Sequence, residues 1–211
     1  MYIPKHFSED DLAVLHTLMR DYSFANLVSV GEDGVPFATP LPFVLEGDPQ
    51  PYGTLLAHMA LGNPQWRMFQ PERKVLVIFQ GPHAYITPSW YEEELSVPTW
   101  NYATVHAYGY PRIITDHDEL YALLKRLVTI HESDFAASWP FDLPADYIDK
   151  MMKGVVGFSL QITRLEGKFK MSQNRNPNER IRVSAELSAS QDPALCEVAA
   201  MVSGQRRRVR G

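Results

Sequence analysis

A chain of 211 residues, 45% hydrophobic and 21% charged, is long enough to bury a sizeable core and has the balance of an ordinary folded protein. A net charge of −5 excludes a surface that grips nucleic acid all over. One cysteine, Cys196, excludes an internal disulfide and any zinc site built on paired cysteines.

Ser8-Glu9-Asp10-Asp11 reads as a helix start, with Ser8 as cap and the acids at the positive end of the dipole. Leu12, Leu15, Leu18 and Met19 continue it at helical spacing, to an end near Arg20 to Tyr22. Asn26 to Val30 and Val35 to Val44 read as two strands of a hairpin across the turn Gly31-Glu32-Asp33-Gly34. Pro36, Pro40 and Pro42 give the second strand either an irregular or an edge ladder. A loop follows over Gly47 to Pro51, then a strand over Thr54 to Met59.

Asn63-Pro64 opens a short helix to Phe69, with Asn63 as cap and Pro64 in the first position. Lys74 to Gln80 and Ala84 to Trp90 read as two strands, and Tyr102 to Thr115 as a long one bent at Gly109. Asp116 to Ser133 is the clearest helix, striped by Leu120, Leu123, Leu124 and Leu127. A shorter helix spans Ala145 to Lys153. A strand runs from Val155 to Thr163, and Leu165 to Lys170 extends it. Asn176-Pro177-Asn178 reads as a turn, and Asp192 to Val202 as a last helix. Some seven strands joined by short turns, with helices at the start, middle and end, imply a mainly β (α+β) antiparallel barrel. No linker divides the chain, so residues 1–211 are expected to form one domain, with 176–211 as an extension of it.

The opening MYIPKHF has no leader pattern, and no run nears about 18 apolar residues. With a lone cysteine, these features lead to the expectation of a cytoplasmic protein. The tail Gln205 to Gly211 holds Arg206, Arg207, Arg208 and Arg210. It is either a solvated end or an arm that contacts DNA phosphates.

No spacing of the seven histidines matches a metal motif. There is no nucleophile elbow, and neither a Walker nor a Rossmann glycine pattern. No catalytic residue is therefore assigned. What stands out is QGPHAYITPSWY (80–91) followed by VPTWNYATVHAYG (97–109). His83, Trp90, Tyr91, Trp100, Tyr102 and His106 either fill a core or interface, or hold a flat ligand whose polar rim meets Ser89, Thr99 and Asn101. In EGKFKMSQNR (166–175), Lys168 and Lys170 share one strand face. With Ser172 and Arg175 they make either an anion site or a solvated edge.

MYIPKHF, HMALGNPQW, QGPHAYITPSWY, VPTWNYATVHAYG and LEGKFKMSQNR occur in order over residues 1 to 175. Together they resemble the PaiB-type family of FMN-binding negative transcriptional regulators. The resemblance implies a split β-barrel and a homodimer with FMN in a groove between subunits. It places Thr39, Pro40 and Leu41 along the flavin, and His58 and Asn63 at the ribityl and phosphate. Ser89, Trp90 and Asn101 line the ring, and Lys168, Lys170, Ser172, Gln173 and Arg175 complete the phosphate or ring contacts.

The residues show no helix-turn-helix, so DNA contact would fall to the arginine tail, a basic face of the dimer or a partner. Two other readings stand beside the regulator. One is an FMN-dependent NAD(P)H oxidoreductase, with His83 and His106 as proton donors. The other is a tetrapyrrole binder with His58, His83 or His106 as axial ligand.

Overall fold

Asp11, three residues later than expected, caps the first helix: its carboxylate accepts from the Ala13 and Val14 amides. The helix, α1 (Leu12–Asp21), is shorter than the sequence reading, because Ser8-Glu9 is spent on a two-residue strand, β1 (Ser8–Glu9), that pairs with Lys168 and Gly167. A computed structural model describes residues 1–47, 51–93, 95–133, 135–137 and 139–204. The arginines at 206, 207, 208 and 210, and residues 48–50 of the expected loop, lie outside the described residues.

The hairpin forms as read, from β2 (Phe24–Val30) and β3 (Pro36–Pro42). Along β2 exposed and buried residues alternate, so Ala25, Leu27 and Ser29 face inward. β3 ends the sheet order, the edge position being one of the two its prolines allow. β4 (Val44–Glu46) pairs with β5 (Thr54–Ala60). The two strands expected at 74–80 and 84–90 are one, β6 (Val75–Ile86). The β2 ladder ends at Ile78, so Pro82 falls where no β2 partner needs its missing N–H. β7 (Thr99–Ile114) and β8 (Val155–Lys170) are likewise single long strands. The hydrogen-bonded order is β3-β2-β6-β7-β8-β5-β4, with β1 on β8: eight strands rather than seven.

The helices α2 (His117–Glu132) and α3 (Ala145–Met152) match their sequence reading. A helix also forms where a turn was expected, α4 (Pro177–Ser188), ahead of α5 (Pro193–Val202). Asn176 caps α4 through the Glu179 amide, and Pro177 takes the first position.

The chain divides into two compact units. Unit 1 is residues 1–22, 79–106 and 166–211; unit 2 is 23–78 and 107–165. In unit 1, Leu15, Leu18 and Met19 of α1, Phe79, Val105 and Phe169 of the sheet, and Val183, Leu187 and Val198 of the helical pair are buried. Fully burying an aliphatic side chain of this size contributes about 1.5–3 kcal/mol.

In unit 2, the rings of Phe43 and Phe69 meet Phe158 edge-on at 6.2 and 5.2 Å. Val44, Ile114, Leu123 and Leu127 form a cluster where α2 covers the sheet. Gly109 permits a close approach of backbone: a Cβ there would lie 2.1 Å from the Gln161 carbonyl oxygen. Among the described residues no helix is long and apolar enough to cross a membrane.

Candidate functional site

Strand alternation builds the unit 1 cluster. On one face of the sheet stand His83 and Tyr85 of β6, Trp100 and Tyr102 of β7, and Lys168 and Lys170 of β8. The Trp100 ring is 5.7 Å from Tyr85 and 6.1 Å from His83. Tyr85 is 49% and Trp100 53% exposed, so this aromatic face is not core.

The Lys168 ammonium lies 5.3 Å from the Tyr102 ring and 5.6 Å from that of Tyr2. Lys170 donates to the Thr99 hydroxyl and lies 5.9 Å from the Phe7 ring. Among the described residues no carboxylate forms an ion pair with either lysine. Burial lowers the His106 pKa, the N-terminal ammonium adds to this and Glu166 opposes it.

Asn101 points inward from the same stretch of β7 and is fully buried. Its amide donates to the Ser172 hydroxyl at 2.9 Å. Ser172 is buried too, with a φ of 59° in the left-handed region. The Arg175 amide closes this turn on the Ser172 carbonyl at 3.0 Å. Gln173 fastens its own loop, accepting from the Met171 amide and donating to the Phe169 carbonyl.

Arg175 is already engaged: it pairs with Glu93 at 3.3 Å and Glu179 at 3.9 Å, and stacks 3.9 Å over the Tyr91 ring. Burial raises the Tyr91 phenol pKa in spite of that guanidinium. Ser89 bonds Thr87, which caps the one-turn 3₁₀ segment Pro88–Trp90.

Unit 2 holds the other expected residues. The Asn63 amide donates to the Thr39 hydroxyl at 3.0 Å, and its oxygen accepts from the Gln65 amide at 2.9 Å, capping the 3₁₀ turn Pro64–Met68. Thr39 is half-buried, Pro40 is exposed and Leu41 is buried. His58 is half-buried on β5, and its Nδ1 is buried with no hydrogen-bond partner. Burial holds its pKa below the usual 6.5.

Gln65 was not singled out in the sequence. It is fully buried, and its Nε2 reaches the Leu27 carbonyl at 3.0 Å, the Ser29 hydroxyl at 3.1 Å and the Phe37 carbonyl at 3.1 Å. That side chain fastens the 3₁₀ turn, and with it Asn63, to the β2–β3 hairpin.

FMN requires cations or N–H donors for a phosphate, an aromatic surface for a planar ring, and hydrogen-bonding groups for its polar edge. The unit 1 cluster supplies the first two as two lysines without carboxylate partners beside exposed aromatic rings. In unit 2, taken by itself, the Nδ1 of His58 is a buried polar atom without a hydrogen-bond partner. The residues present fit the group.

Comparison with known proteins agrees. The family model described as "Putative FMN-binding domain" matches residues 1–164. The chain is 35% identical over 210 residues to "Protease synthase and sporulation protein PAI 2" of Bacillus subtilis, covering 99% of each chain. Among solved structures, a 5-nitroimidazole antibiotic resistance protein from Bacteroides thetaiotaomicron, so described with the qualifier "putative", aligns with a TM-score of 0.58 at 16% identity. That alignment covers 76% of this chain and 85% of the other. The flavocytochrome Anf3 from Azotobacter vinelandii aligns at 0.59 and 15% identity, over 80% of this chain and 72% of the other. Both likenesses speak to the fold, an antiparallel sheet of the split-barrel kind with helices. By its sequence over residues 1–164 and its relative of equal length, this chain belongs to the FMN-binding domain family whose cofactor is FMN.

Proposed function

We propose that this protein is an FMN-binding negative regulator of transcription that acts as a homodimer and responds to its flavin. The observation that carries the binding half is the pair Lys168 and Lys170, half-buried on one face of β8 and without carboxylate partners among the described residues. Two neighbouring half-buried cations without a carboxylate partner suit a phosphate. Asn101 and Ser172 stiffen the strand end and turn beside them. Thr99, bonded to Lys170, sets the direction of its ammonium.

The exposed Tyr85 and Trp100 favour the homodimer, because a monomer gains nothing by holding large aromatic rings in water. The regulatory half rests on the relative from Bacillus subtilis, whose name ties it to protease synthesis and sporulation.

Three measurements on one preparation test the reading. Gel filtration with FMN should give a co-eluting flavin spectrum at one flavin per chain. Light scattering should give twice the 24.0 kDa chain mass. Selection from a random duplex library should enrich a defined sequence whose affinity changes with FMN loading. A colourless protein refutes the binding half, and failure to enrich any sequence refutes the regulatory half. Sustained NAD(P)H oxidation by the loaded protein would move the assignment to the reductase reading.

A further inference from the structure

A groove of about 440 Å³ lies within unit 2, lined by residues of α2 and of β4, β5, β7 and β8. Sheet register builds its floor. Glu46 pairs with Thr54 and Thr54 with Gln161, so the three side chains stand in one row across β4, β5 and β8. Ser159 shares that face two residues before Gln161, beside its cross-strand partner Leu56. Ile114 and Leu123, both buried, supply an apolar wall, and Leu56 packs against their cluster.

Three polar side chains of this floor are unused. Ser159 is 8% exposed, yet its hydroxyl has no hydrogen-bond partner among the described residues, and neither do the side chains of Thr54 and Gln161. Buried hydroxyls normally have partners, so one left open onto a groove marks a place for a ligand atom. The two ion pairs in the lining differ in the same respect. Arg112 grips Glu119 through both Nη atoms, one on each carboxylate oxygen. Arg126 uses only Nη1, on the Oε1 of Glu46. Its Nη2 and Nε, and the Oε2 of Glu46, have no partner among the described residues. The arginine of that pair is 50% and the glutamate 35% exposed, and a pair so exposed is worth little in itself. It sets open donors beside an open acceptor.

We infer that this groove binds an aliphatic α-amino acid. Its carboxylate meets the open N–H groups of Arg126, its ammonium meets the Oε2 of Glu46, and its side chain lies against Leu56, Ile114 and Leu123. A simple anion on Arg126 would also face Glu46, and a simple amine on Glu46 would also face Arg126. Only a molecule carrying both charges close together gains from both halves of the pair. Thr54, Ser159 and Gln161 offer hydroxyls and an amide to the remaining polar atoms. The volume falls in the range of about 300–1,000 Å³ usual for small-molecule sites. None of the residues assigned to FMN lines this groove, so the site is additional to that of the flavin.

Calorimetric titration of the full chain with L-leucine tests this. Two analogues serve as controls: 4-methylpentanoate, which lacks the ammonium, and 3-methylbutylamine, which lacks the carboxylate. Leucine should bind saturably, and each analogue at least about tenfold more weakly, because a site built to bond a polar group rejects a ligand that lacks it. Glu46→Gln keeps an acceptor for Arg126 but loses the charge that meets the ammonium. It should weaken leucine binding about tenfold and leave the affinity for 4-methylpentanoate unchanged or higher. Ser159→Ala, a smaller change, should weaken leucine severalfold, with an unaltered melting temperature to show that the fold is intact. No saturable heat with millimolar leucine overturns the inference. So do analogues that bind as well as leucine, or a Glu46→Gln variant with wild-type affinity.

Discussion

Replacing Gln65 separates a hydrogen-bonding role from a space-filling one. The side chain is fully buried, and its Nε2 has two protons for three acceptors, at 3.0, 3.1 and 3.1 Å. Its Oε1 has no partner. Gln65→Leu keeps most of the volume and removes both ends of the amide. Two lost hydrogen bonds to buried acceptors cost about 2–4 kcal/mol, and relief of the unpartnered oxygen returns about 1, for a net loss near 2 kcal/mol.

Gln65→Glu keeps the shape, but at neutral pH it turns a donor into a charge facing two carbonyl oxygens. That change should cost more than the leucine, several kcal/mol, until the carboxyl takes up a proton. The variant's folded-state pKa is raised, so its deficit should shrink as pH falls toward 5. Urea denaturation of the three proteins at two pH values measures both effects. A leucine variant within about 0.5 kcal/mol of wild type, or a glutamate variant no worse than the leucine, would refute the account of Gln65 as the donor that holds the 3₁₀ turn to the hairpin.

Other perturbations give equally definite outcomes. His117 bridges α2 to Asp149 of α3 at 2.9 Å, and its hydrogen bonds to Asp118 and Asp149 raise its pKa. Its contribution is thus full below the unfolded value of 6.5 and is lost as pH rises through the folded value. The melting-temperature difference between wild type and His117→Gln should vanish at alkaline pH. His58 runs the other way: its lowered pKa means the unfolded chain takes up the proton first. Acidification through 6.5 should destabilise the wild type more than His58→Gln, read by thermal melts across that range. Lys168→Gln and Lys170→Gln should each weaken FMN binding about tenfold, equivalent to about 1.4 kcal/mol, and flatten its salt dependence in fluorescence titrations. Gly109→Ala forces a Cβ to 2.1 Å from a backbone oxygen and should cost more than about 3 kcal/mol, or block folding, in expression and melting assays.

Long elements with strong periodicity were legible before the structure. The α2 stripe, the β2–β3 hairpin and the capped turn at Asn63-Pro64 lie where local sequence puts them. Misses came where partners far along the chain decide. Ser8 looks like a helix cap until β8 supplies a strand partner 160 residues later. Asn176-Pro177 carries the same signal as Asn63-Pro64, with Glu179 three residues after the cap, yet it reads as a turn because the segment that follows is polar and, beside the buried Glu179, only two apolar residues, Val183 and Leu187, lie on its buried side.

At the candidate site, the one-face placement of Lys168 and Lys170 followed from strand alternation. The Asn101–Ser172 bond and the three acceptors of Gln65 did not. Those contacts join residues 28 to 71 positions apart, and no local pattern encodes them.

Neither unit is a contiguous piece of sequence. Unit 1 is assembled from residues 1–22, 79–106 and 166–211, and the three long strands each pass from one unit to the other. On a ribosome, α1 emerges early and then waits for its neighbours Phe169 and Met171 to be made. Nascent chains halted before residue 166 should therefore expose Leu15 and Leu18 to chaperones, and no cut between two consecutive residues will yield either unit as a free-standing fragment.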